Sequence, residues 1–252
     1  MHIVIRDLLI TWGAAGIWDW IFYSDSSPMK ARLASRKINP KYPSADITRF
    51  CMFWSTVSTL VASGVEIFWL HLLARGSVVT WSDSLFSFST LMWLITLPHW
   101  RIGHFYFVHR LIHPWRSTVI PDIGQVLYSH VHALHHKSYN PTSWSGISMH
   151  PIESFLYYTV CFIPLLGGAH PFILLTAKVD ATLGAILGHD GFEYPGSASF
   201  PHYLHHAKFE VNYGENLVPL DWLFGTFAAS AKHLPKYALQ SKKEEDEELK
   251  SD

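Results

Sequence analysis

Residues 50–73 read FCMFWSTVSTLVASGVEIFWLHLL, 24 residues with a single acid, Glu66. A helix of that length crosses about 30 Å of hydrocarbon. The alternative, core helices of a soluble protein, is set aside on the expectation that residues 50–73 and 85–97 carry no periodic polar face. The stretch therefore sets the expected class: an all-α integral membrane protein. Upstream, Ile3 to Tyr23 is apolar but contains Arg6, Asp7 and Asp19. No small-residue cleavage site follows, so it reads as a first, imperfect membrane or interfacial helix rather than a signal peptide. Downstream, Leu85 to Trp100 is a third apolar run, with a kink expected at Pro98. Ile152 to Leu187 is a fourth, broken by Gly167-Gly168 and Pro171. It reads as a helical hairpin with Lys178 and Asp180 on its return arm. Each arm is short for a full crossing, so a re-entrant pair and two spans both fit. About four transmembrane or re-entrant helices result, with residues 1–100 mainly membrane helices and 101–230 a helical, histidine-rich catalytic region.

Loop charge orients this arrangement. The loop after the first helix carries Lys30, Arg32, Arg36, Lys37, Lys41 and Arg49, and the positive-inside rule puts it in the cytosol. Alternating the later segments then places 101–151 and 189–252 on the same, cytosolic side. The tail from 240 to 252, with six acids and three bases in Lys242–Asp252, reads as disordered and solvated. A single domain, 1–252, is expected. The composition agrees with a membrane protein: 15% charged residues and 49% apolar, where soluble domains carry about 25% charged. With 19 basic and 20 acidic side chains, the basic face that a nucleic-acid binder needs is missing. Cys51 and Cys161 both lie in apolar runs, which leaves no disulfide framework and no cysteine zinc site.

The 17 histidines are unevenly placed, with 14 of them between His99 and His206. Three clusters stand out: His109/His113, His132/His135/His136 and His202/His205/His206. At this chain's histidine frequency the spacing His-x-x-His-His is expected roughly 0.08 times, and it occurs twice. On a helix, i, i+3 and i+4 share a face, so each cluster is expected to aim its imidazoles at a common point. Eight imidazoles exceed the needs of one metal, since catalytic zinc keeps about three protein ligands. Two metals with open positions suit them. Imidazole accepts zinc, copper, iron or nickel, so ligand type alone leaves the metal open.

These boxes resemble those of the fatty acid hydroxylase superfamily, in particular its sterol desaturase and sterol oxidase members. HFYFVHRLIHPW at 104–115 looks like the family's first box with its aromatic lead-in. SMHPIE at 148–153 is similar to the segment after the second box, and GHDGFEYP at 188–195 to the one before the third. FEVNYGENLVPLDWLFGTF at 209–227 resembles the closing segment. The resemblance covers roughly residues 95–230. It implies a non-haem centre of two iron ions, with zinc compatible with the same donors, that uses O2 to desaturate or hydroxylate a lipid C–H bond. The sterol branch, C-5 desaturase-like, is the first expectation and a fatty-acyl or carotenoid hydroxylase the second. The membrane would be the endoplasmic reticulum in a eukaryote and the cytoplasmic membrane in a bacterium. Such chemistry consumes two electrons per turnover. The chain carries no Gly-x-Gly-x-x-Gly fingerprint and no Cys-x-x-Cys-His haem attachment. A separate donor is therefore expected, a b-type cytochrome with its reductase or a ferredoxin.

Beyond the eight box histidines, two further ligands are named. His189 matches a family position that supplies one. His104 lies five residues before His109, roughly 140° round an ideal helix, so its participation requires a bend or the other metal. His150, followed by Pro151, and His130, outside the motifs, are candidates for a further ligand or a supporting contact. Glu153, Asp190, Glu193 and Asp221 are candidates to receive the far N–H of ligating imidazoles. Trp144, Phe155, Tyr157 and Phe192 are expected to line the lipid's approach or to anchor the membrane interface. The reading from a different class is a non-enzymatic metal carrier or bis-histidine haem protein. A carrier should place its ligands within the spans, and haem leaves the two triples unexplained.

Overall fold

The structure, a computed structural model, describes residues 1–77, 82, 84–117, 119–194, 199–215 and 217–230. The acidic tail lies outside them. Ten α-helices are present among the described residues: α1 His2–Tyr23, α2 Pro28–Leu33, α3 Ala45–Ala74, α4 Phe88–Leu111, α5 Ile123–His130, α6 Pro151–Tyr158, α7 Phe162–Leu166, α8 Ile173–Gly188, α9 Ser199–Lys208 and α10 Leu220–Leu223. Short 3-10 helices cover Ala34–Arg36, His132–Lys137 and Thr159–Cys161. The described residues form no strand, only an isolated antiparallel bridge between Lys37 and Phe192.

The starts of the long helices follow local chemistry. The Ser44 hydroxyl accepts from the Ile47 N–H at 3.3 Å, with Asp46 in the first turn of α3. Ser87 accepts from the Thr90 N–H at 3.2 Å at the head of α4. Each satisfies an amide that helix geometry leaves without a partner. Pro98 does not end α4, which continues to Leu111. That continuation carries the first histidine box out of the apolar run. The hairpin expected over 152–187 is present as α6, the turn at Thr159–Cys161, α7 and α8.

Helix α3 packs on α1 and α6, and α4 on α8. Contrary to expectation, α3 carries a periodic polar stripe, and it is turned inward beside buried Val65 and Trp69. The buried stripe of α3 includes Ser55, Ser58, Thr59, Ser63 and Glu66, while Phe53, Leu60, Ile67 and Phe68 point outward. α1 buries Asp7 and Thr11 and exposes Ile5, Leu9 and Ile17. Small hydroxyls let helices approach closely and bond across the contact. Ser58 Oγ lies 2.7 Å from Ser154 Oγ, and Ser55 donates to the Trp144 carbonyl at 2.7 Å. Inside the bundle, Lys178 contacts Asp7 and Glu66, and Arg6 contacts Asp7 at 2.8 Å and Glu66 at 2.5 Å. By length and apolarity one helix among the described residues, α3, qualifies to cross a membrane.

Candidate metal centre

Four pieces of chain deliver histidines to one place. His109 sits on the last turn of α4 and His113 just beyond its end. The second box lies on the 3-10 helix His132–Lys137, His189 ends α8, and the third box is on α9. The α-helical face expected for the second box is therefore replaced by 3-10 geometry. With three residues per turn, i and i+3 eclipse, and the His132 and His135 rings stack at 5.3 Å.

The histidines do not point at a common spot box by box. One group joins His109, His113, His132, His136 and His205, and a second joins His135, His189, His202 and His206. Within each group the nearest ring nitrogens all lie within 4.8 Å of one another, and every member is buried. The two triples split in opposite senses: the second box gives two rings to the first group and one to the second, and the third box the reverse.

The outward ring nitrogens fix the tautomers. His109 Nδ1 donates to the Tyr213 carbonyl at 2.7 Å, His205 Nδ1 to Val211 at 2.7 Å, and His189 Nδ1 to Ala185 at 2.7 Å. His135 Nδ1 donates to Ser148 at 3.3 Å, and His132 Nδ1 to Glu153 Oε1 at 2.7 Å. A neutral imidazole that spends its proton outward presents a lone pair at Nε2. Those lone pairs face one another: His109 and His132 Nε2 are 3.1 Å apart, and His135 and His189 Nε2 are 3.2 Å apart. Two facing lone pairs repel unless a cation lies between them. The Nε2 of His205 and both ring nitrogens of His206 are buried without a partner, which a folded chain rarely tolerates. Burial lowers the basicity of all nine rings, that of His109 to about 3 and that of His135 to about 4. The donor set is thus neutral, nitrogen-only and aimed inward, and it fits two metal ions.

His104 stays apart. α4 runs on without bringing it round, and its Nε2 lies 2.9 Å from Thr159 Oγ1. His150 caps α6, its Nδ1 accepting from the Ile152 N–H at 3.2 Å, and His130 is exposed beside Ser129. Of the four acids, Glu153 reaches a ring nitrogen directly. Asp190 instead accepts from Tyr194, Ser199 and the Phe192 N–H, and Glu193 is exposed. Asp221 acts one step away, accepting from the Tyr213 and Gly214 N–H groups at 2.8 and 2.7 Å and so holding the carbonyl that His109 uses. Sequence reasoning missed the backbone carbonyls of Ser148, Ala185, Val211 and Tyr213. The nearest signal was Asn212, which adopts φ 54 and bonds the Pro201 and Ala228 carbonyls, turning residues 209–214 back over the site. Gly146 is another: a Cβ there would lie 2.4 Å from the Ala185 carbonyl oxygen, so only glycine lets this segment reach α8.

A narrow pocket, open in part to solvent, adjoins the histidines, walled by Phe105, Val108, Ile112, Met149 and Tyr157. Its wall includes His109 and His132 from the first group and His135, His189 and His202 from the second. Of the four aromatics expected along the approach, Tyr157 lines this cavity. Trp144 packs edge-on against Trp12, Phe192 is buried against Phe22, and Phe155 is exposed.

The family model described as fatty acid hydroxylase matches residues 93–226, which holds every one of these histidines. The chain belongs to the fatty acid hydroxylase family. Among curated relatives in or near this family, a very-long-chain aldehyde decarbonylase of Oryza sativa subsp. indica is 30% identical over 174 residues, 62% of this chain and 65% of its own. A Delta(7)-sterol 5(6)-desaturase of Gibberella zeae is 32% identical over 134 residues, 48% of this chain and 34% of its own. A methylsterol monooxygenase of Arabidopsis thaliana is 30% identical over 135 residues, 48% of this chain and 47% of its own. The chain thus spans less than two thirds of the length of each. No solved structure matches this fatty acid hydroxylase chain significantly.

Proposed function

We propose that this chain is a membrane-bound oxidase that holds two non-haem iron ions and uses O2 and external electrons to oxidise a lipid C–H bond. The observation that carries the reading is the cavity wall, which presents histidines of both groups to one apolar space. When bound, the two irons supply O2 activation at that wall. The residues do the rest. Phe105, Met149 and Tyr157 exclude water and seat an apolar chain or ring system beside the histidines. Glu153 and the four carbonyls keep the Nε2 of His109, His132, His135, His189 and His205 unprotonated and aimed inward. His104, His150 and His130 hold no metal in this reading.

The outward apolar faces of α1, α3 and α4 support insertion in a bilayer, with residues 1–252 acting as one domain. The loop charge supports a cytosolic catalytic face, in the endoplasmic reticulum of a eukaryote or the cytoplasmic membrane of a bacterium. A b-type cytochrome with its reductase, or a ferredoxin, supplies the electrons. Purified protein given NAD(P)H and O2 alone is expected to be inactive, and sustained turnover in that mixture overturns the separate donor.

The substrate proposed first is a sterol, oxidised as in C-5 desaturation. Two of the relatives are named for sterol substrates. An acyl lipid is the second reading, favoured by the longer match to an aldehyde decarbonylase. Expression in a host lacking its own sterol desaturase, followed by mass spectrometry of the lipids, separates the two. Loss of two hydrogens from a sterol supports the first. A hydroxylated or decarbonylated acyl chain with unchanged sterols establishes the second.

A further inference from the structure

The metal cavity shares a wall residue with a second cavity. Glu215 lines the first, and it also lines a surface cleft with about 590 Å³ of empty space bounded by Pro201, Pro219, Trp222 and Phe227. Beside this cleft the chain turns apolar side chains outward. Trp222 is 73% exposed and Leu223 66%, with Leu217, Phe224 and Phe227 also exposed. Such a concentration marks a contact surface rather than a wetted one. Phe224 stacks on Tyr106 at 5.4 Å and packs against exposed Phe107 at 5.8 Å, so the patch continues onto α4. Trp222, Phe224 and Phe227, gathered beside the outward apolar face of α4, fit the interfacial layer of a bilayer.

Between the two cavities stands an ion pair. Buried Arg101 meets the Glu215 carboxylate through both terminal nitrogens, the longer contact at 3.2 Å, and its Nε bonds Asp180 at 2.8 Å. Gly184 packs against the guanidinium, where a Cβ would lie 2.8 Å from Cζ. Removing one partner of a buried pair normally strands a charge. Here it does not, because Arg101 retains Asp180 when Glu215 withdraws. The Glu215 side chain is 23% exposed, so its carboxylate keeps contact with solvent when the pair opens. The pair can open without leaving either charge alone.

We propose that the lipid substrate passes from the bilayer surface into the metal cavity through the cleft beside Trp222 and Phe227, and that the Arg101–Glu215 pair is the latch it displaces. The proposal rests on the lipid-oxidising reading above. Glu215 is a positioning residue that admits substrate and touches no metal.

The probes are a sterol carrying a diazirine and a long-chain fatty alcohol with a diazirine in its tail, each presented in phosphatidylcholine vesicles to the reconstituted, metal-loaded full chain. Photolabelled residues are mapped by peptide mass spectrometry. Both native cysteines are buried, so a bulky maleimide reacts at the introduced thiol of Trp222→Cys, or of the control Val126→Cys on exposed α5. Label at Met149 and Tyr157 is expected in the unmodified protein. It should fall at least tenfold once Trp222→Cys carries the maleimide and stay constant in the control. Glu215→Ala should raise the initial labelling rate several-fold, and Glu215→Gln less, with bound metal unchanged. Undiminished cavity label in the blocked variant overturns the route while the lipid reading stands. An unchanged rate in Glu215→Ala overturns the latch. No label from either probe at Met149 or Tyr157 in the unmodified protein overturns the lipid reading and the route with it.

Discussion

Single side chains divide the work at the centre unequally. The first group has five nitrogens and the second four, so loss of one ligand should be felt by one ion. His206→Ala is expected to lower bound metal from two ions per chain toward one, with the protein still in the membrane fraction; atomic emission on purified variants reads the count. Loss of both ions together would mean that the groups form one indivisible site. Glu153 acts through a neighbour, accepting the Nδ1 proton of His132 at 2.7 Å. Removing such a support costs about 10- to 100-fold in metal affinity. Glu153→Ala should therefore weaken binding by that order in a chelator competition, and Glu153→Gln, which still accepts, by clearly less.

At the scale of the helices, the decisive feature is charge inside the bundle. Asp7 from α1, Glu66 from α3 and Lys178 from α8 are buried together, with Arg6 half-buried at the rim. Ser63 donates to Asp7 at 2.8 Å. Lys178 ties three helices by two carboxylates. Lys178→Met would leave Arg6 alone against both, and breaking a buried pair in this way costs about 3–5 kcal/mol. The variant is expected to unfold at markedly lower temperature. Adding Asp7→Asn, which removes the excess negative charge, should recover part of the loss. If the double variant is no better than the single one, the cluster is not an electrostatic unit.

The whole molecule should respond to pH through the nine buried histidines of the two groups. In the folded chain burial holds their basicity far below that of a free imidazole, His109 at about 3 and His135 at about 4. The unfolded chain takes up protons near pH 6.5. Above that pH both states are neutral and stability is flat. Below it the unfolded chain binds protons that the folded one refuses, so stability falls as pH drops from about 6.5 toward 4. Metal-free protein is expected to show an unfolding temperature that declines steeply over this window. Bound metal, which the neutral rings hold, should move the decline to lower pH. A flat profile for the metal-free protein between pH 7 and 5 contradicts neutral, buried rings.

The helical class, the broken hairpin at Gly167-Gly168 and the histidine boxes were legible in the sequence because each depends on spacing along one stretch of chain. Runs of apolar residues and i, i+3, i+4 repeats are local properties. The same arithmetic placed His104 on the wrong side of α4, and the unbroken run of that helix to Leu111 leaves it there, bonded to Thr159. What the sequence left open depends on crossings between distant segments. Which histidine joins which group follows from the 3-10 winding of His132–Lys137 and the approach of α9 to α8, and no box shows it by itself. The carbonyls of Ser148, Ala185, Val211 and Tyr213 have no side-chain signature, so only the folded backbone reveals that they set the tautomers. The apolar sequence of residues 50–73 announced a helix suited to lipid. Only packing showed that Ser55, Ser58, Thr59, Ser63 and Glu66 turn inward, because burial of a polar group is tolerated where a partner meets it.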